Sequence, residues 1–248
     1  MVIKFLQLLT SPHRSTKTNA QLGCLLAFVA GAVNAGGFLA ISRYTSHMSG
    51  IIAEIGDDLA LNNLLAVFGA IFLLFSFIAG SATTTVLVHW GHRKNIHSQF
   101  ALPLIVEAAL LLIFGLLGAS LNFHTLLTIP AIAIMLCFVM GLQNAIITQA
   151  SKGEIRTTHM TGVVTDIGIE LGKWLYWNRS QTASADHFVR VNKAKLRTHC
   201  AIFSFFLVGA LVGAISFKEF GYVSVVPISL LLIVISSLQI YRDFRNHD

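Results

Sequence analysis

Long apolar runs separated by short polar gaps set the pattern of this chain. Six runs, at 20–41, 64–88, 101–119, 126–147, 201–217 and 222–240, are long enough for membrane-spanning helices, which need roughly 17–25 apolar residues. Two further stretches, 45–59 (TSHMSGIIAEIGDDL) and 157–171 (TTHMTGVVTDIGIEL), carry a different pattern. Met48, Ile51, Ile52, Ile55 and Leu59 recur at helical spacing in the first, as do Met160, Val163, Val164, Ile167 and Leu171 in the second. Each stretch therefore predicts an amphipathic helix with one apolar stripe. Fifteen helical residues reach only about 22 Å, short of a hydrocarbon core of about 30 Å. These motif helices should enter or border the membrane without crossing it.

The two stretches are also copies of one another. At a constant offset of 112 residues, seven of fifteen positions are identical, including His47/His159, Met48/Met160, Gly50/Gly162 and Leu59/Leu171. A matched histidine, acid and several hydroxyls are more than apolar bias supplies, so the pattern is an internal duplication. Flanking features pair as well: Gly31-Ala-Val-Asn34-Ala35 with Gly141-Leu-Gln-Asn144-Ala145, Phe77 and Gly80 with Phe206 and Gly209, and Pro103 with Pro227. With three spans in each copy, the second copy must enter the membrane from the opposite side. The expected fold is an all-α integral membrane protein of six transmembrane helices, arranged as two inverted-topology three-helix repeats, each with a short amphipathic or re-entrant motif helix. Its parts are an N-terminal arm (1–19), a first repeat (20–120) and a second repeat (121–248) interrupted by a basic insertion at about 174–197.

Composition agrees with the pattern. Of 248 residues 55% are hydrophobic and 11% charged, against about 25% charged in soluble domains, and the mean hydropathy is +0.73. The formal charge of +6 does not point to nucleic acid, because the basic residues fall in the gaps between apolar runs. The arm, the gap between the second and third runs, the segment between the fourth and fifth, and the tail hold 15 of the 17 Lys and Arg. That asymmetry predicts both termini on the cytoplasmic side of a bacterial inner membrane. The first fourteen residues lack the basic region, long apolar core and cleavage site of a signal peptide. Cys24, Cys137 and Cys200 have neither disulfide nor metal spacing and read as buried small hydrophobes.

Asn34-Ala35 with Phe38-Leu39-Ala40, Met48-Ser49-Gly50, Gly141-Leu-Gln-Asn144-Ala145, and Arg156-Thr157-Thr158 with Thr161-Gly162 together resemble the YoaK-like family of bacterial membrane proteins. The resemblance runs from about residue 20 to the C-terminus. It implies a multi-spanning protein of the cytoplasmic membrane and no established activity. The chain differs from the usual pattern at Asn34, where an acid is expected, and at Ile51, where a polar residue is.

The motifs suggest chemistry of their own. Thr45, Ser46 and Ser49, matched by Thr157, Thr158 and Thr161, cluster where side chains cap the free N–H groups of a first turn. Helix starts carry partial positive charge, and in inverted-repeat transporters such ends meet near the midplane around an anion. The expected substrate-binding set is Asn34, Ser46, His47, Ser49 and Gly50 from the first half, with Asn144, Thr158, His159, Thr161 and Gly162 from the second. For Asn34 and Asn144 the plainer reading is an interhelical amide bond among small residues. Glu54, Glu107 and Asp166 are candidates for proton coupling; Glu107 stands out because it falls inside an apolar run, where an ionised carboxylate is costly. His47 with Glu54, and His159 with Asp166, are two helical turns apart without local ligand spacing, so no metal site is read.

No Gly-x-Ser-x-Gly, phosphate-binding loop, His-Glu-x-x-His or Cys pair is present, so no enzyme activity and no cofactor are expected. The predicted function is a secondary transporter or channel for a small anionic or weak-acid solute. The expected partners are the lipid bilayer and that solute, with self-association left open. The alternative is a non-transporting sensor or assembly partner acting through the basic insertion.

Overall fold

The computed structural model describes residues 16–94, 99–118, 125–176 and 189–245. Most of the N-terminal arm and positions 177–188 of the basic insertion lie outside the described residues. All regular structure among those described is helical: α1 (Thr16–Ile41), α2 (Met48–Ala60), α3 (Leu64–Arg93), α4 (Ala101–Gly118), α5 (Thr125–Ala150), α6 (Met160–Leu175), α7 (Lys193–Phe220), a 3-10 turn (Gly221–Val225) and α8 (Val226–Arg245). Among the described residues four helical stretches are long and apolar enough to cross a membrane: Thr16–Ile41, Leu64–Arg93, Thr128–Ala150 and the continuous Lys193–Ser237. Ala101–Leu116 is a shorter apolar helix. The last long stretch is divided by the 3-10 turn, where Gly221 takes a positive φ of 60° that an L side chain rarely adopts.

The motif helices begin three residues later than the sequence blocks, at Met48 and Met160, and run for 13 and 16 residues. Both are too short to cross the hydrocarbon core. Their stripes divide between two surroundings. Ile51 and Val163 are buried and Met48, Ile55, Met160 and Ile167 pack on the core, whereas Ile52, Leu59, Val164 and Leu171 are exposed. The basic insertion is also narrower than expected. Residues 193–197 are the first turns of α7, because the Asn192 side chain caps the amide of Lys195 at 3.0 Å and Lys195 is held by Asp166.

Three helix pairs dominate the packing: α1 with α7, α3 with α5, and α4 with α8. The first two are built on one device. Phe28-x-x-Gly31, Phe77-x-x-Gly80, Phe138-x-x-Gly141 and Phe206-x-x-Gly209 share a spacing, and each glycine faces the carbonyl oxygen of the partner helix's phenylalanine. A Cβ on Gly31 would lie 2.1 Å from the Phe206 oxygen and one on Gly209 would lie 2.1 Å from that of Phe28. Gly80 with Phe138 and Gly141 with Phe77 repeat this at 2.0 Å. Only hydrogen fits in such a crossing, and small residues of this kind let backbones approach where lipid gives no hydrophobic drive.

Contacts advance in the same direction along α1 and α7, from Phe28 with Gly209 through Ala32 with Gly213 to Gly36 with Phe217, so the two helices run parallel. α3 and α5 are parallel too, zipped by Ser76 to the Ile134 oxygen (2.6 Å), Thr84 to the Leu142 oxygen (2.9 Å) and Gln149 to the Thr85 hydroxyl (2.7 Å). α1 and α5 are antiparallel, since Gly23 meets Ile147 and Gly37 meets Leu136. Large apolar side chains point outward: Leu65, Phe68, Phe72 and Phe75 on α3, and Leu207, Leu211 and Ile215 on α7. An apolar exterior over small-residue helix crossings is the arrangement a lipid solvent selects. Cysteine placement departs from expectation: Cys137 is buried, Cys24 is half-buried and Cys200 is exposed on α7.

Candidate functional site

Each motif is reached through a turn with a left-handed residue, Ser42 after α1 and Lys152 after α5, both at φ 55°. The second turn is closed by Ser151, whose hydroxyl accepts from the Ile155 amide at 2.9 Å and donates to the Ile155 oxygen at 3.3 Å. Beyond each turn the motif is tied back to the helix before it. Asn34 Oδ1 accepts from the Ser46 amide at 3.3 Å and from the Ser46 hydroxyl at 3.1 Å. In the second half Asn144 Nδ2 donates to the Thr158 hydroxyl. Asn34 and Asn144 thus anchor motifs instead of bonding helix to helix.

The capping expectation is corrected by this arrangement. The N-cap positions are His47 and His159, and neither helix start has a side-chain cap. The hydroxyls of Ser46 and Thr158 are drawn to the asparagines instead. Thr45 and Thr157 are buried, and their hydroxyls have no partner among the described residues. The imidazoles of His47 and His159 fold over the first turn onto Gly50 and Gly162; a Cβ there would lie 2.7 Å and 2.4 Å from the ring Nδ1. A side chain at either position would displace the imidazole, because the ring takes its space.

The two helix starts converge on one cavity of about 700 Å³. Asn34, Ser46, His47 and Ser49 line it from one half, and Asn144, Thr158, His159 and Thr161 from the other. Eight of the ten expected binding residues meet there, and Gly50 and Gly162 lie behind the histidines. The wall also includes Met48, Met160, Phe77 and Phe206, with Ile52 and Thr148. Tyr44 and Arg156 complete it. Of its sixteen residues, fourteen form seven pairs from matching sequence positions, and only Tyr44/Arg156 pairs unlike chemistries. Arg156 is the one lining residue with a fixed charge, no lining residue is Asp or Glu, and among the described residues Arg156 has no ion-pair partner.

Two smaller pockets adjoin the cavity. One, of about 120 Å³, shares Tyr44 and His47 with it and contains Glu54; the other, of about 450 Å³, shares Arg156, His159 and Thr161 and contains Asp166 and His199. Glu54 and Asp166 are therefore not in the central cavity. Glu54 pairs with Arg43 at 2.6 Å, both side chains being a little under half exposed. Asp166 meets Lys195 at 3.0 Å and His199 Nε2 at 3.3 Å. The hydrogen bond from Lys195 holds the Asp166 carboxyl below the usual carboxylate range. Glu170 is lowered likewise, by the Lys173 ammonium at 2.8 Å and then the Asn192 amide at 2.7 Å.

Glu107 is fully buried and stands apart from the motifs. Its Oε1 accepts from Gln143 Nε2 at 2.8 Å, while its Oε2 and Gln143 Oε1 have no partner among the described residues. Gln143 is next in sequence to Asn144, so one turn of α5 faces the buried carboxyl with one residue and the cavity with the next. Among the described residues no group of three His, Cys, Asp or Glu comes together as metal ligands. Gln143, Tyr44 and Arg156 are the site residues that sequence reasoning passes over. Arg156 counts there as a topological charge and as part of the family resemblance, not as a binding residue, although it directly precedes the duplicated block.

The helices, their apolar exterior and the cavity between short motif helices define an all-helical membrane protein. A family model matches residues 22–238, and the chain belongs to that family, DUF1275, described as a protein of unknown function. It is 25% identical over 210 residues to the UPF0700 transmembrane protein YoaK of Bacillus subtilis (strain 168), covering 84% of this chain and 88% of that protein. No solved structure matches the chain.

Proposed function

We propose that this protein is a secondary transporter or channel for a small anion or weak acid, and that the cavity between the motif helices is its solute site. The observation that carries the reading is the composition of the wall: two uncapped helix starts, ten amide, hydroxyl or imidazole side chains with the Tyr44 phenol counted among them, and Arg156, with no carboxylate. Such a wall favours negative charge, because backbone N–H groups and a guanidinium supply donors and positive potential together.

The architecture supports passage across the bilayer. We read the chain as six crossings in two inverted halves. Parallel α1/α7 and parallel α3/α5, with α1 antiparallel to α5, fit a chain that alternates direction at every span. An in-plane two-fold axis would exchange the α1/α7 pair with the α5/α3 pair, and the four Phe-x-x-Gly crossings follow that exchange. Inverted halves that meet at a midplane site are how alternating-access carriers are commonly built. The distribution of Lys and Arg puts both termini in the cytoplasm of a bacterial cell on this reading.

The test is current from liposomes on a solid-supported membrane, jumping a panel of small anions and weak acids at two pH values. Wild-type protein should give a solute-specific current that the His47→Ala/His159→Ala double variant loses. Silence across the panel from folded, inserted protein would overturn the reading and favour a sensor or assembly partner acting through the basic 174–197 segment.

A further inference from the structure

Of the seven matched pairs in the cavity wall, six are alike in chemistry and one is not, and that exception bears on what the cavity holds. We propose that its ligand is an organic monoanion with an apolar body, its carboxylate held at Arg156 and its body directed toward Tyr44. This rests on the cavity being a binding site, as proposed above, but not on flux through it.

Three observations lead to the class. The first is size. About 700 Å³ is room for some twenty waters at roughly 30 Å³ each, and it falls in the range of small-molecule pockets and well above one halide or nitrate. The second is charge. Arg156 is the single fixed cation of the wall and has no ion-pair partner among the described residues, so one carboxylate balances it in the planar, two-pronged geometry a guanidinium prefers. A second carboxylate would have only amides, hydroxyls and the two imidazoles to face. The third is the apolar share of the wall. Met48, Met160, Ile52, Phe77 and Phe206 give an inorganic anion nothing to bond, while they offer a hydrocarbon or aromatic body dispersion contact and thioether–ring contacts. Tyr44, which replaces the cation at the matching position, is stacked on Phe38 with ring centroids 4.5 Å apart. That stack holds a flat aromatic face at the position opposite in sequence symmetry to the charge.

The experiment measures equilibrium binding to the full chain in lipid nanodiscs by calorimetry, with benzoate, hexanoate, phthalate and nitrate as probes. Benzoate and hexanoate should bind at least about tenfold more tightly than nitrate, and more tightly than the dianion phthalate. Arg156→Gln should weaken benzoate by about tenfold or more, Arg156→Lys should restore part of it, and Tyr44→Arg should shift preference toward phthalate. Nitrate binding as tightly as benzoate, or unchanged benzoate binding in Arg156→Gln, would overturn the proposal, as would no binding of either monocarboxylate. The two readings fail separately. Benzoate binding without any current leaves this ligand class standing and removes transport, whereas nitrate currents without benzoate binding do the reverse.

Discussion

The side-chain oxygen of Asn34 accepts from both the amide and the hydroxyl of Ser46, at 3.3 and 3.1 Å, and so fixes where the first motif helix begins. Asn144 and Thr158 form the corresponding link in the second half. These two links bring the uncapped starts of α2 and α6 to opposite walls of one cavity.

Asn34→Ala and Asn144→Ala should therefore lower activity more than stability. Each removes a polar link of a kind worth about 1 kcal/mol inside a membrane protein, yet each releases the end of a motif helix from its cavity. Thermal unfolding in mild detergent should shift by a few degrees, while solute-driven current falls to background. A large loss of stability with intact current would reverse the assignment.

The glycines divide into two groups with opposite expected behaviour. Gly209→Ala or Gly141→Ala places a methyl at about 2 Å from a carbonyl oxygen, so the helix pair must separate, at a cost of about 1–3 kcal/mol or more. Gly168→Ala, with nothing within 4 Å of the added Cβ, should be neutral or should stabilise by up to about 1 kcal/mol through helix propensity. Melting temperatures of the three purified variants check both signs.

Much of this arrangement is legible in the sequence, and the missing parts share a physical cause. Periodicity finds the helices because apolar spans and an amphipathic stripe differ in pattern, and the duplication finds His47, Ser49, His159 and Thr161 because their chemistry is copied. Arg156 escapes because its match is Tyr44, and an arginine beside an apolar run is most simply a topological charge. The reciprocal Phe-x-x-Gly crossings escape because a glycine's use depends on which backbone faces it, and that is a property of the packed pair. Glu54 and Asp166 are matched in sequence but are drawn to Arg43 and Lys195, cations that lie outside the duplicated blocks. The unusual burial of Glu107 is visible from its apolar neighbours, but its partner Gln143 is not.

The join between α6 and α7 should loosen in acid. Lys195 of α7 depresses the Asp166 carboxyl, and Lys173 within α6 followed by the Asn192 amide at the start of α7 depresses that of Glu170, so the stabilisation is present above the ordinary carboxylate range and is lost as pH falls through the depressed values. Hydrogen-exchange protection at residues 193–200, relative to the intrinsic rate at each pH, should fall at low pH in the wild type, and Asp166→Asn should show reduced protection already at neutral pH. Equal protection at both pH values in the wild type would contradict it.

Glu107→Gln is expected to fold at least as well as the wild type. The new amide can donate to the unpartnered Gln143 oxygen while its own oxygen keeps the existing 2.8 Å bond, and no buried carboxyl remains. If Glu107 carries the coupling proton, the pH dependence of current disappears in this variant while its melting temperature stays level or rises. An unchanged pH dependence removes Glu107 from that role.

The most direct measurement is anion current from liposomes bearing Ser49→Cys or Thr161→Cys, in a background with Cys24, Cys137 and Cys200 replaced, before and after a negatively charged methanethiosulfonate reagent. Both positions line the central cavity, one from each motif helix. Labelling at either should stop the current, because it fills the shared cavity with fixed negative charge. Undiminished current from protein whose cysteine is shown by mass spectrometry to be modified would mean that the solute does not pass between the two motifs.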